Sequence, residues 1–150
     1  MGFAATLDVM FLGSFFNSDN VIYAEEFTLT PPTLCIALST TTPVPTYEAW
    51  NFNEPTTGGY ARVSCPGTQA NWNPNWTGGN PVSPASVSNK NAISFPVATS
   101  NWNAPVTYWG IFSTGTLIAF GQVNSTLSST TITTGETLTF NAGQLTVTLT

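Results

Sequence analysis

Few residues in this chain could do acid, base, nucleophilic or metal chemistry, and their spacing gathers almost none of them. Histidine is absent, which removes the commonest general base and metal ligand. Glu48 and Glu54 form the one carboxylate pair flanked by aromatics, namely Tyr47, Trp50 and Phe52. A glycosidase needs two positioned carboxylates. These two stand in a stretch too rich in Pro, Thr and Asn to position them. Cys35 and Cys65 lie thirty positions apart without a Cys-x-x-Cys pairing, so no zinc site is expected. They read either as two small buried hydrophobes or as a disulfide. No catalytic residue, metal ligand or cofactor is expected.

What remains is recognition by surface. Trp72 and Trp76 stand among Asn and Pro, and Trp50 and Phe52 occupy an earlier polar stretch. Indole faces stack on sugars while neighbouring amides bond to them. The same rings could fold back over the chain's own sheet, or contact a neighbouring subunit. Arg62 and Lys90 are the only cations, and the net charge is −5. That balance leaves no electrostatic footprint for phosphate, so nucleic acid is not an expected partner. Arg62 is expected to pair with Glu54 or Glu48 and tie a loop to the sheet.

Only 6% of the side chains are charged, against roughly 25% in ordinary soluble domains. Polarity comes instead from Thr, Ser and Asn. Such a surface carries little like-charge repulsion and suits packing against other proteins. The apolar run near Phe11 is broken by Asp8, Gly13 and Ser14, and it is too short to span a bilayer, which takes about 20 apolar residues. No membrane role is expected. The N-terminus lacks the basic region of a secretory signal, so synthesis in a cytoplasm is expected. The sequons at Asn75 and Asn124 are what chance gives in a chain this rich in Asn and Thr.

The elements that must position these residues read as strands. The 150 residues fit one domain with a single core. Residues 1–32 are expected to form an arm and connector, and 33–150 a β-domain with long loops at 40–59 and 66–91. In the arm, Leu7, Met10, Phe11 and Phe15 recur at helical spacing. This short helix either covers an open face or edge of the sheet or reaches a neighbouring subunit, since Phe3, Phe15 and Phe16 exceed what so short a helix normally hides. Thr33–Ser39 is apolar on both sides and reads as a central strand. Gly58-Gly59 opens a strand at Tyr60–Cys65, with Tyr60, Arg62 and Ser64 on one face. In Ala92–Val97, the residues Ile93, Phe95 and Val97 are expected inward, and Pro96 marks an edge or a bulge. From Val106 the apolar runs VTYWGIF, LIAFGQV, ETLTF and LTVTLT are separated by Gly, Asn and Ser, the pattern of a β-meander. Leu138 and Phe140 are expected to pair with the Leu145, Val147, Leu149 face across a turn at Asn141-Ala142-Gly143. The expected fold class is all-β, an antiparallel β-sandwich/meander with a short N-terminal helical arm.

The ordered set LCIALSTTTP, EPTTGGYAR, ISFPVATSNW, VTYWGIF, LIAFGQV, ITTGETLTF and AGQLTVTLT resembles a family of small tailed-bacteriophage virion proteins, labelled tail-fibre-like, head-decoration or cement proteins. The resemblance covers Thr33 to Thr150. The chain departs from the pattern in a longer loop, Pro66 to Asn91, and a less polar arm. The resemblance implies a non-enzymatic β-structured protein built into the particle as a trimer. The expected role is a capsid decoration protein on the outer surface of the head, bridging major capsid protein subunits and binding copies of itself. The alternative is a tail or fibre component touching host glycan through Trp50, Trp72 and Trp76. The candidate interface residues are Phe3, Phe11, Phe15, Phe16, Trp50, Phe52, Trp72 and Trp76.

Overall fold

A computed structural model of the chain describes residues 16, 32–45, 50–75, 85–123 and 131–149. These hold eleven strands: β1 (Leu34–Ser39), β2 (Val44–Pro45), β3 (Trp50–Asn51), β4 (Val63–Ser64), β5 (Trp72–Pro74), β6 (Ser86–Asn89), β7 (Ile93–Ser94), β8 (Tyr108–Ser113), β9 (Thr116–Gln122), β10 (Thr139–Phe140) and β11 (Thr146–Thr148). The fold is all-β with antiparallel sheets. Among the described residues only Phe16 is helical, so the expected arm lies outside them except at that position. The chain divides into two compact units, one of Met1–Thr33, Cys65–Ile93 and Phe140–Thr150, the other of Leu34–Ser64 and Ser94–Thr139.

In the second unit a four-stranded sheet runs in the order β4-β1-β8-β9. β1 is an interior strand, as its two apolar faces require. Leu34, Ile36 and Leu38 are fully buried on one face beside Ile111 and Trp109 of β8. On the other face Ala37, Phe112 and Leu117 pack together, with Cys35 and Phe52 against them. Opposite Ala37 stands Gly110. A Cβ there would come within 2.7 Å of the Phe52 ring and 2.8 Å of Leu117, so the missing side chain is what lets Phe52 lie on the sheet. β8 and β9 are joined through Thr114-Gly115, both at positive φ (46° and 91°), the two-residue hairpin turn whose twist matches that of the strands. Ile111 faces Ala119 but Phe112 faces Leu117, so Ile118 is the extra residue of a β-bulge. The bulge turns Leu117 into the same cluster as Phe112.

The strand expected over Tyr60–Cys65 pairs only at Val63 and Ser64. Further along β1 the Leu38 N–H donates instead to the Tyr60 hydroxyl at 2.9 Å. A side chain thus satisfies the edge that a longer strand would have covered.

In the first unit β11, β6 and β5 form a three-stranded sheet in that order. This changes the reading of 66–91 as an excursion without strands, since both β5 and β6 lie in it. It also corrects the meander. The β8–β9 hairpin forms, but β11 pairs with β6 and β10 with β7, so β10 and β11 do not pair with each other. Gly143 does turn the chain at φ 80°, but its N–H goes to Asn89 C=O at 2.8 Å. Loop 40–59 likewise contains a short ladder of β2 and β3. Of the residues expected inward in 92–97, Ile93 and Phe95 are buried while Val97 is 58% exposed. Pro96 offers no N–H to a ladder, and β7 ends at Ser94, so the alternation does not carry on to Val97.

Candidate functional site

Glu54 is spoken for by structure. Its Oε1 accepts from Arg62 Nη2 at 2.6 Å and from Nε at 3.1 Å, and its Oε2 accepts from the Tyr60 hydroxyl at 2.8 Å. The guanidinium also stands 4.0 Å over the Phe112 ring, which meets Phe52 edge-on at 5.1 Å. The expected Arg62–Glu54 pair is therefore present and two-pronged. With both partners partly exposed, an ion pair of this kind contributes about 0–1 kcal/mol. Its effect is to hold the Phe52–Arg62 segment on the sheet. Glu48, the other carboxylate considered, lies outside the described residues.

Both cysteines are free thiols. Burial pushes the Cys65 thiol up to about 11, which leaves it protonated and unreactive at neutral pH. Among the described residues no group of three or more Cys, Asp or Glu gathers to hold a metal ion.

The expected interface residues divide. Phe3, Phe11, Phe15 and Trp76 lie outside the described residues, as does the side chain of Trp50, whose backbone pairs in β3. Trp72 is 1% exposed. Its ring meets Phe16 edge-on at 4.6 Å, and its indole N–H is shared between the carbonyls of Pro66 (3.2 Å) and Cys65 (3.4 Å). In this chain the indole covers the chain's own interior and offers no open face for stacking. Phe16 is buried with it, and Phe52 is half-buried on Gly110 and Phe112.

An open depression of about 630 Å³ lies elsewhere, lined by Thr40, Thr41, Thr42, Thr107, Tyr108, Gln122 and Val123. Sheet register builds it. Ser39 faces Tyr108 and Tyr108 faces Gln122, so the end of β1, the start of β8 and the end of β9 meet there. The threonine wall is held from beneath by Ser39, which is fully buried. Its hydroxyl donates to Thr41 C=O at 2.7 Å and accepts the N–H groups of Thr41 and Asn53. Asn53 closes the bracket, donating from Nδ2 to Thr41 Oγ1 at 2.7 Å and accepting Thr40 N–H at 2.8 Å. The Thr42 hydroxyl and the Gln122 amide both donate to the Tyr108 oxygen at 3.3 Å. Those two bonds stabilise the phenolate and lower the Tyr108 pKa. The sequence reading missed this group because Tyr108 was counted within an apolar run. The adjacent Ser-Thr-Thr-Thr at the end of β1 was the available signal, once β1 is paired with β8.

The family model for Podophage GP4 fiber I protein gp80 matches residues 19–148. The chain belongs to this family. It is a virion protein of the phage fibre type, in keeping with a surface of hydroxyls and amides and a carboxylate engaged in structural bonds. The match spans both compact units, including the β5–β6 segment and the Tyr108 depression. The search of curated proteins found no match to this fiber-family chain.

Proposed function

We propose that this chain is a fibre or tail component of a phage particle and works by adhesion alone, through contacts with other virion subunits, including copies of itself as a trimer, and with glycan on the host surface. The observation that carries the reading is the fiber-family match over residues 19–148. It favours the fibre reading over the head-decoration role expected first. Low charge supports adhesion, because nine charged side chains in 150 residues leave little repulsion to overcome when copies pack together. Copy number tests the assignment. Quantitative mass spectrometry of purified particles is expected to find the chain far below the major capsid protein, at a few dozen copies at most, with antibody labelling at the tail. Abundance near that of the capsid protein, with label over the head, would return the assignment to decoration. Sedimentation equilibrium tests the trimer, and a monomer at micromolar concentration would remove that part of the proposal.

A further inference from the structure

We infer that the depression formed by Thr40–Thr42, Thr107, Tyr108 and Gln122 is the glycan site of this chain, and that its ligand is a neutral saccharide seated by hydrogen bonds from Tyr108 and Gln122. The inference rests on the fibre reading and replaces the tryptophan platform, since Trp72 is buried within the chain.

Among the described residues the lining carries no charged side chain and offers hydroxyls and an amide almost throughout. Its volume of about 630 Å³ falls in the roughly 300–1,000 Å³ range of small-molecule clefts, but the lining is polar, which suits a polyol better than an apolar ligand. Tyr108 is the directed donor. Its oxygen already accepts from Thr42 and Gln122, which leaves its own hydrogen to be donated to a further acceptor. No acceptor for that hydrogen stands among the described residues, and the Thr107 hydroxyl is likewise uncommitted among them. The wall behind these groups is already set by the Ser39–Asn53 bracket. Little side-chain ordering is then left to oppose binding. Phe120, which is 38% exposed, borders the site through an edge contact with Tyr108 at 6.4 Å. The register Gly110↔Phe120 and Tyr108↔Gln122 puts the Phe120, Tyr108 and Gln122 side chains on one face of the sheet, so an aromatic ring stands beside the hydroxyls for the C–H groups of a sugar to pack on. The core of a protein–protein interface is more apolar than the rest of the surface, whereas among the described lining residues the one aliphatic side chain is Val123, itself buried.

The test uses the full-length chain with maltose, lactose and N,N′-diacetylchitobiose, and 3′-sialyllactose as the charged control, read by saturation-transfer NMR and titration. At least one neutral sugar is expected to bind, with Tyr108→Phe weakening it about tenfold, as loss of one oriented hydrogen bond does, and Gln122→Ala weakening it too. Tyr108→Phe keeps the ring contact, so an unchanged melting temperature separates lost binding from lost fold. No binding by any of these sugars, or wild-type affinity in both variants, overturns the site. Self-association of the wild-type chain that Tyr108→Phe abolishes also overturns it, because the occupant is then a second copy. Sugar binding by a chain located on the head keeps the site and removes the fibre role. A chain located in the fibre without sugar binding does the reverse.

Discussion

Asn89 grips Leu145 from both its main chain and its side chain. The Asn89 N–H donates to Leu145 C=O at 3.0 Å, and Asn89 Oδ1 accepts Leu145 N–H at 2.8 Å. The Nδ2 donates to the carbonyls of Asn141 (2.9 Å) and Asn91 (2.8 Å), with the residue 1% exposed. This clamp draws the C-terminal strand onto β6 rather than β10. Asn89→Ala would strand the buried Leu145 N–H and take one donor from the Asn91 carbonyl and one from the Asn141 carbonyl, which keeps Gln144 N–H. Urea denaturation is expected to show a loss of about 1–3 kcal/mol, the cost of one buried orphan. Asn89→Asp keeps the acceptor but points a carboxylate at two carbonyls, and is expected to be no more stable than the Ala variant.

The hairpin that carries Tyr108 and Gln122 turns through a β-branched residue at positive φ. Thr114 sits at 46°, where a side chain branched at Cβ is strained and Asn is tolerated. Thr114→Asn gives this two-residue turn its favoured Asn-Gly pair. It is expected to stabilise the chain by about 0.5–1 kcal/mol, a fraction of the 1–3 kcal/mol such strain can cost. A rise in melting temperature with the β-sheet circular dichroism unchanged is the readout.

Tyrosine ionisation should separate two hydroxyls. Burial pushes the Tyr60 pKa far above its ordinary value; the Glu54 carboxylate adds to this, while the bond from Leu38 N–H opposes it. A phenol whose folded pKa is raised contributes stability that is complete below the unfolded value of about 10 and declines as pH rises past it. In an alkaline absorbance titration Tyr108 is expected to ionise early, and Tyr60 only as the fold is lost. Tyr60→Phe should blunt the fall in stability above that pH. At neutral pH it should cost about 1–3 kcal/mol, because Leu38 N–H loses its acceptor. Early ionisation of all tyrosines in the folded chain would contradict the Tyr60 placement.

The sequence revealed those elements whose burial is apolar. LCIALS and YWGIFS are nearly continuous runs of large hydrophobic residues, and they become the two interior strands of the four-stranded sheet. The Arg62–Glu54 pair was legible because cations are so scarce. β5 and β6 were not legible, because WNP and SVSN carry no apolar period. Each buries one large apolar side chain, Trp72 or Val87, beside an amide, Asn89, whose partners at 141 and 145 lie more than fifty residues away. Residue type alone also could not separate a tryptophan that stacks on a ligand from one that fills the interior. Trp72 was settled by the nearby carbonyls of Cys65 and Pro66, which take its N–H. Tyr108 was hidden by the same ambiguity in reverse, an aromatic in an apolar run whose hydroxyl points out among threonines.

Gly110 makes a sharp test of how the Phe52 segment is seated. A methyl group at this position would meet Phe52 Cε2 at 2.7 Å and Leu117 Cδ1 at 2.8 Å, closer than real Cβ contacts allow. Gly110→Ala is expected to displace the Phe52 ring and cost about 1–3 kcal/mol, as overpacking does. Pairing it with Phe52→Leu should recover part of that loss. Equal losses with and without the second change would mean that the clash falls on Leu117.

Trp72 decides whether its stretch of chain works inside the chain or at an interface. The ring is buried against Phe16 and its N–H is satisfied by two backbone carbonyls. Trp72→Ala should therefore destabilise the isolated chain by about 3–5 kcal/mol, the range for removing a large buried aromatic. Trp72→Phe refills much of the space but takes the indole donor from the Cys65 carbonyl, while the Pro66 carbonyl keeps Thr68 N–H and Asn71 Nδ2, so an intermediate loss is expected. Chemical denaturation of the three proteins gives the order wild type, Phe, Ala. If the Ala variant instead keeps its stability and fails only to enter particles, the indole acts on a partner. The Phe16 contact would then be incidental.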